Sequence, residues 1–276
     1  MRRIVIILII SASLYPCFAE INGSVRIAAI RVSFIADDSP GTTGNGSFLL
    51  NAPIDTCGRY TIDPVPHDRS YFESQLVAVN NYFRSVSYGK FGLDLDQSIV
   101  FPLSDDDSYV LTKKMDYYHP YNQTDLHDQR VTELFRDAIE TAYNDDEIDF
   151  SNYDHIVVFH AGIGQDFSLP FLDPTPEDIP STFIDGDMLQ EYVGGMLQFG
   201  TATINQGIIL PETQNHLFYQ ESENIFFDTE QPCDYQYGLT GTFALMLGFA
   251  IGLPPLWDTN SGQSGIGIFG LMDQGS

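Results

Sequence analysis

The stretch IDFSNYDHIVVFHAG, Ile148–Gly162, decides the fold class. Ile156–Phe159 is a short continuous apolar run, as expected of a strand buried on both faces, and such a strand needs cover above and below. Just upstream, QRVTELFRDAIETAYNDD places Val131, Leu134, Phe135, Ala138, Ile139 and Ala142 on one stripe, the pattern of an amphipathic helix. Working outward, Ser24–Ile35, SVRIAAIRVSFI, is β-branched and reads as a strand, and the turn formers of ADDSPGTTGNGS read as a loop. Phe72, Leu76, Val79 and Phe83 recur at helical spacing within Ser70–Ser87. The following YGKFGLDLDQSIVFPL predicts a turn and an alternating strand with Phe91, Leu93 and Leu95 on one face. Ile163–Gly200, broken by Pro170, Pro174, Pro176 and Pro180, reads as loop, and TATINQGIILPE offers another strand. A last helix is predicted from about Leu239 to Ile251, stopped by Gly252 and Pro254-Pro255. Helix and strand alternate, so the expected class is α/β, a twisted mixed sheet with packed helices.

Met1-Arg2-Arg3, the apolar run Ile4–Leu14 and the small-residue site Cys17-Phe18-Ala19 have the layout of a cleavable secretory signal over residues 1–19. The expected mature protein is therefore secreted, extracellular or periplasmic, with one domain over residues 20–276 and no membrane span after cleavage. No charged residue occurs between Tyr235 and Trp257, but its prolines and glycines leave too short a helix to cross a bilayer. The formal charge of −26 makes nucleic acid an unsuitable partner and favours cations. Beyond Cys17, only Cys57 and Cys233 remain, either bridged across the chain or buried as two thiols.

Five stretches, SVSYGKFGLDL, IDFSNYDHIVVFHAGIGQD, GIILPE, GLPPLWDT and SGIGIFGLMDQGS, occur in the order found in the secreted immune inhibitor A-like metallopeptidases of the zincin group. The chain resembles that family over most of its mature length. The resemblance implies a zincin-like α+β fold with a central active-site helix carrying His-Glu-x-Gly-His-x-x-Gly-Leu-Pro. In such a helix two histidines at i and i+4 ligate zinc and the glutamate polarises bound water. Gly252, Leu253 and Pro254 fix the register, which puts the first histidine at Leu245, the glutamate at Met246, the inner glycine at Gly248 and the second histidine at Phe249. Relatives usually continue past the segment containing Met272, which resembles the methionine beneath zinc, so the chain reads either as a naturally short product or as one lacking a C-terminal part of the domain.

None of the three functional positions can perform the family's chemistry. Leu245 and Phe249 have no lone pair for a metal, and the Met246 thioether is no proton acceptor at neutral pH. The position ten residues after the first histidine, which can supply a third ligand, is Pro255. Asp258 is the nearest carboxylate and a weak candidate ligand. No catalytic residue or zinc cofactor is therefore expected, and the former cleft floor is expected to have become core. The resemblance implies a peptidase homologue without activity, a pseudoenzyme that acts by binding a peptide or protein. One alternative is an active zinc peptidase with a rearranged site using Asp258 and a distant histidine such as His160. Another is a structural or adhesive exoprotein binding calcium through Asp105-Asp106-Asp107 or Asp145-Asp146-Glu147, clusters that also read as solvated loops. His67, His119, His127, His155, His160 and His216 contain no i, i+4 pair, and His160 reads as a structural histidine.

Overall fold

The computed structural model describes residues 21–51, 57–167, 173–219, 232–259 and 261–275, and the expected signal lies outside them. The protein is a mixed α/β structure built on a six-stranded sheet. Strand β1 spans Gly23–Val25, β2 Ile27–Ser33, β3 Phe91–Leu93, β4 Ile99–Phe101 and β5 Tyr109–Val110. Strand β6 spans His155–Ile163, β7 Thr182–Ile184, β8 Leu197–Phe199, β9 Ala202–Ile204 and β10 Gly207–Thr213. The main sheet has the order β4-β2-β6-β10-β7, with β5 also paired to β2. Its strands are parallel except β7, which runs antiparallel to β10 at the edge.

Alternation along β6 divides the core. Ile156, Val158 and Ala161 face one cluster with Leu134, Phe135 and Ile139 of the helix α3, His127–Asp146. Val157 and Phe159 face the other cluster, with Phe72, Leu76 and Val79 of α1, Arg69–Val86, and Phe243 and Leu247 of α5, Leu239–Ala250. The short helices α2, Met115–Tyr118, and α4, Gly186–Tyr192, pack beside α3 through Met115, Tyr118 and Leu189. The central strand is buried on both faces, as its apolar run predicts.

Three expectations need correction. The strand expected over Ser24–Ile35 breaks at Arg26, whose backbone and guanidinium are held by Asp154, so β1 leaves for β3 while β2 stays in the main sheet. Leu95 does not share a face with Phe91 and Leu93. The chain turns at Asp94, whose carbonyl accepts from Ser98 N and Oγ, and Leu95 is exposed. The segment Ile163–Gly200, read as loop, contains β7, α4 and β8, and α4 starts where the Asp185 carboxylate accepts from Met188 N.

Cys57 and Cys233 form a disulfide with Cα atoms 5.9 Å apart, which resolves the open pairing and fits an oxidising compartment. Among the described residues no helix is long and apolar enough to cross a membrane.

Candidate functional site

Helix α5 lies on the sheet beside α1, and its C-terminal half reaches the β7 edge. It ends where Gly252 adopts φ +88°, a backbone conformation that a side chain would oppose, and Leu253 N donates to Gly248 O. The chain then turns back beneath the helix: Leu256 N donates to Met272 O, and Trp257 pairs with Ser264 in an antiparallel bridge. Met272 fills the space left by the missing side chain of Gly248. The inner glycine and the methionine of the two separated motifs thus form one contact.

Leu245 is buried, but Met246 and Phe249 stay partly exposed. The expectation that this whole face became core is therefore corrected. Phe249 packs against Phe183 of β7, with ring centroids 6.1 Å apart, and meets the Trp257 indole nearly perpendicularly at 5.6 Å. The three rings form a half-buried aromatic platform joining α5 to the edge strand. No strand among the described residues pairs with the outer edge of β7. An edge that meets no further strand among the described residues can template one.

The residues at the implied zinc positions do not fit the metal, because the donor set is two hydrocarbons and a thioether. Among the described residues no group of three or more His, Cys, Asp or Glu side chains is arranged to hold a metal ion. Asp258, the weak candidate, is exposed, and its Oδ1 accepts from Ser261 N at 3.1 Å. His160 is fully buried on the α3 face against Phe34, while Asp258 follows α5 on the opposite face, so the structure does not bring this pair together. Burial pulls the His160 imidazole down to about 4, and its Nδ1 donates to Ala161 O at 2.9 Å. It is held as a neutral structural group. His155 lies against Gln206, and His119 stacks on His127 with centroids 4.0 Å apart.

The acidic clusters are surface features. Asp105, Asp106 and Asp107 are exposed, and the loop carbonyls of Pro102, Ser104 and Asp105 turn inward to the buried Arg31 guanidinium. A fixed internal cation thus occupies three of the loop's carbonyl oxygens, while the carboxylates stay at the surface. In the second cluster Asp146 accepts from the Tyr109 hydroxyl.

Sequence reasoning missed a buried polar centre behind α1. Glu212 of β10 accepts from Leu49 N, Gly162 N, the Tyr219 hydroxyl and His67 Nδ1, the last at 3.0 Å. His67 Nε2 faces Asp63 O at 2.9 Å. A carbonyl can only accept, so Nε2 donates to Asp63 O, and protonation of Nδ1 lets the ring donate to the Glu212 carboxylate as well. Burial opposes that charge, but Glu212 and the Asp63 carbonyl outweigh it and raise the His67 pKa. The centre ties β6, β10, two loops and, through the Tyr71 hydroxyl on Glu212 O, α1 together. Its only sequence signal was the polar Glu212 after the apolar run of GIILPE.

The chain matches no protein-family model, and a search of curated proteins finds no relative.

Proposed function

We propose that the protein is a secreted zincin-like homologue of the immune inhibitor A-like peptidases that lacks peptidase activity and binds an extended polypeptide between the β7 edge and the α5 face. The observation that carries this reading is the placement of Phe249. At the position of the second histidine it stays half exposed and bridges Phe183, on a strand edge unpaired among the described residues, to Trp257. A strand edge supplies main-chain hydrogen bonds to an extended peptide, and an adjacent aromatic surface supplies contact area for alternate side chains. The motif resemblance supports the ancestry, and the apposition of Met272 and Gly248 is consistent with it.

Hydrolysis is not expected, because Leu245 and Phe249 cannot hold a metal and Met246 cannot act as a base. Trp257 is the chain's single tryptophan, so its emission reports on the platform alone. Titrating the mature protein with a mixture of short unstructured peptides should change that emission saturably, leave the peptides intact, and lose the response in Phe183→Ala. A flat titration, or chelator-sensitive cleavage of the peptides, overturns the reading.

A further inference from the structure

The turn that follows the platform contains a carboxylate with one oxygen in use and one without a partner. Asp273 is 6% exposed. Its Oδ2 accepts from Ser264 Oγ at 3.0 Å, Gly265 N at 2.9 Å, Ile266 N at 2.6 Å and Gly267 N at 2.7 Å. Three successive backbone N–H groups closing on one oxygen make an anion nest. Burial pushes the Asp273 carboxyl up, but these four donors prevail and leave it below the usual carboxylate range, so it is ionised at neutral pH. The other oxygen, Oδ1, is out of contact with water and has no hydrogen-bond partner among the described residues.

An ionised, buried oxygen without a donor is costly, which is why such atoms in native proteins are nearly always met by a partner. Asp273 lines a pocket of about 200 Å³ together with Trp257, Gly262 and the exposed Gln274. An indole and a carboxylate around one small space suit a single kind of group, a cation that can also donate hydrogen bonds. The ring face attracts the charge and the carboxylate takes the donor. Because Oδ1 is out of reach of water in the pocket as it stands, the group meets it only after a neighbouring side chain moves, and the exposed Gln274 is the one free to turn aside. The chain's strongly negative charge raises the local concentration of such cations.

We infer that this pocket receives the cationic side chain, lysine or arginine, of the polypeptide bound along β7, with Asp273 Oδ1 as the acceptor and the Trp257 indole as the wall. The inference rests on the proposed polypeptide site, because the indole that walls the pocket also ends the aromatic platform. It gives that site a preference for basic over neutral residues at one position.

Two probes separate the two ideas, both read through Trp257 emission. The first is a peptide pair identical except that one lysine is Nε-acetylated in the second member. The lysine peptide should bind at least about tenfold more tightly, the factor that about 1.4 kcal/mol represents at room temperature and within the range of one hydrogen bond to a charged group. Asp273→Asn keeps an oxygen for the backbone nest but removes the charge, and should bring the two peptides to equal affinity. The second probe is Nα-acetyl-lysine amide against its Nε-acetylated form. Equal peptide affinities in the wild type, with no response to lysine amide, overturn the pocket and leave polypeptide binding standing. Failure of both peptides with a saturable response to lysine amide overturns polypeptide binding and leaves the pocket standing. Silence to every probe overturns both. Should Asp273→Asn fail to fold, the wild-type comparison of acetylated and free lysine decides alone.

Discussion

The sulfur of Met272 lies 2.5 Å from where a Cβ on Gly248 would sit. Real atoms do not approach so closely, so with any side chain at residue 248 the Met272 thioether would have to move aside.

This contact predicts a size-swap. Gly248→Ala should change stability little, since the helix gains about 1 kcal/mol from alanine while the flexible methionine shifts. Gly248→Leu should cost about 2 kcal/mol by overpacking. Met272→Ala in the Gly248→Leu background should restore part of that loss, giving a coupling of at least about 1 kcal/mol by urea denaturation. Strict additivity of the two substitutions would mean the residues do not touch.

Metal content tests the reading of α5. Wild-type protein dialysed against zinc and then freed of excess should carry well below about one zinc per chain, the ratio that a three-ligand site would hold. Installing Leu245→His, Met246→Glu and Phe249→His together should produce measurable zinc uptake, because the two imidazoles then stand one helical turn apart. Proteolysis should stay near background, since Pro255 supplies no third ligand. Stoichiometric zinc on the wild type would refute the motif register.

Much of this architecture is legible in the sequence where a period is long enough to read. Val131 to Ala142 and Phe72 to Phe83 repeat over several turns, and Ile156–Phe159 is apolar on both faces, so α3, α1 and β6 follow directly. Strand β7 has three residues and α4 seven, too few to establish a period, and prolines surround them. Phe183, one of the platform's three rings, is hidden for that reason. The α5 register could be read because Gly252 and Pro254 mark its end, but which of its apolar residues stay exposed depends on Phe183 and Trp257 arriving from elsewhere. His67 and Glu212 are 145 residues apart, and no local pattern announces a pair made by tertiary structure.

Arg31 offers a stability test on the opposite rim. Its guanidinium donates to Pro102 O, Ser104 O and Asp105 O and has no carboxylate ion pair among the described residues, and burial, the largest influence, lowers its pKa to about 10. Arg31→Met should cost about 3 kcal/mol, the value of hydrogen bonds from a charged donor less what water recovers at the exposed loop. Arg31→Lys should recover less than half, because an ammonium cannot span three carbonyls as a planar fork does. The urea midpoints of the three proteins check the order.

The His67 pair predicts how stability varies with pH. The folded pKa of His67 is raised above its ordinary 6.5, so the folded protein binds that proton more tightly than the unfolded chain does. The resulting stabilisation is complete below 6.5 and disappears as pH climbs through the raised value. Denaturant unfolding followed upward from pH 6.5 should therefore show a falling contribution to the free energy that His67→Phe abolishes. Glu212→Gln removes the counter-charge and leaves a buried imidazolium facing an amide, a loss of about 3–5 kcal/mol if the ion stays charged. Part of that loss is avoided because His67 can instead release its proton, so the Glu212→Gln protein should be less stable at every pH and should lack the slope above pH 6.5. A wild-type free energy whose course above pH 6.5 is the same as that of His67→Phe would mean that Glu212 does not hold the His67 proton in the folded protein.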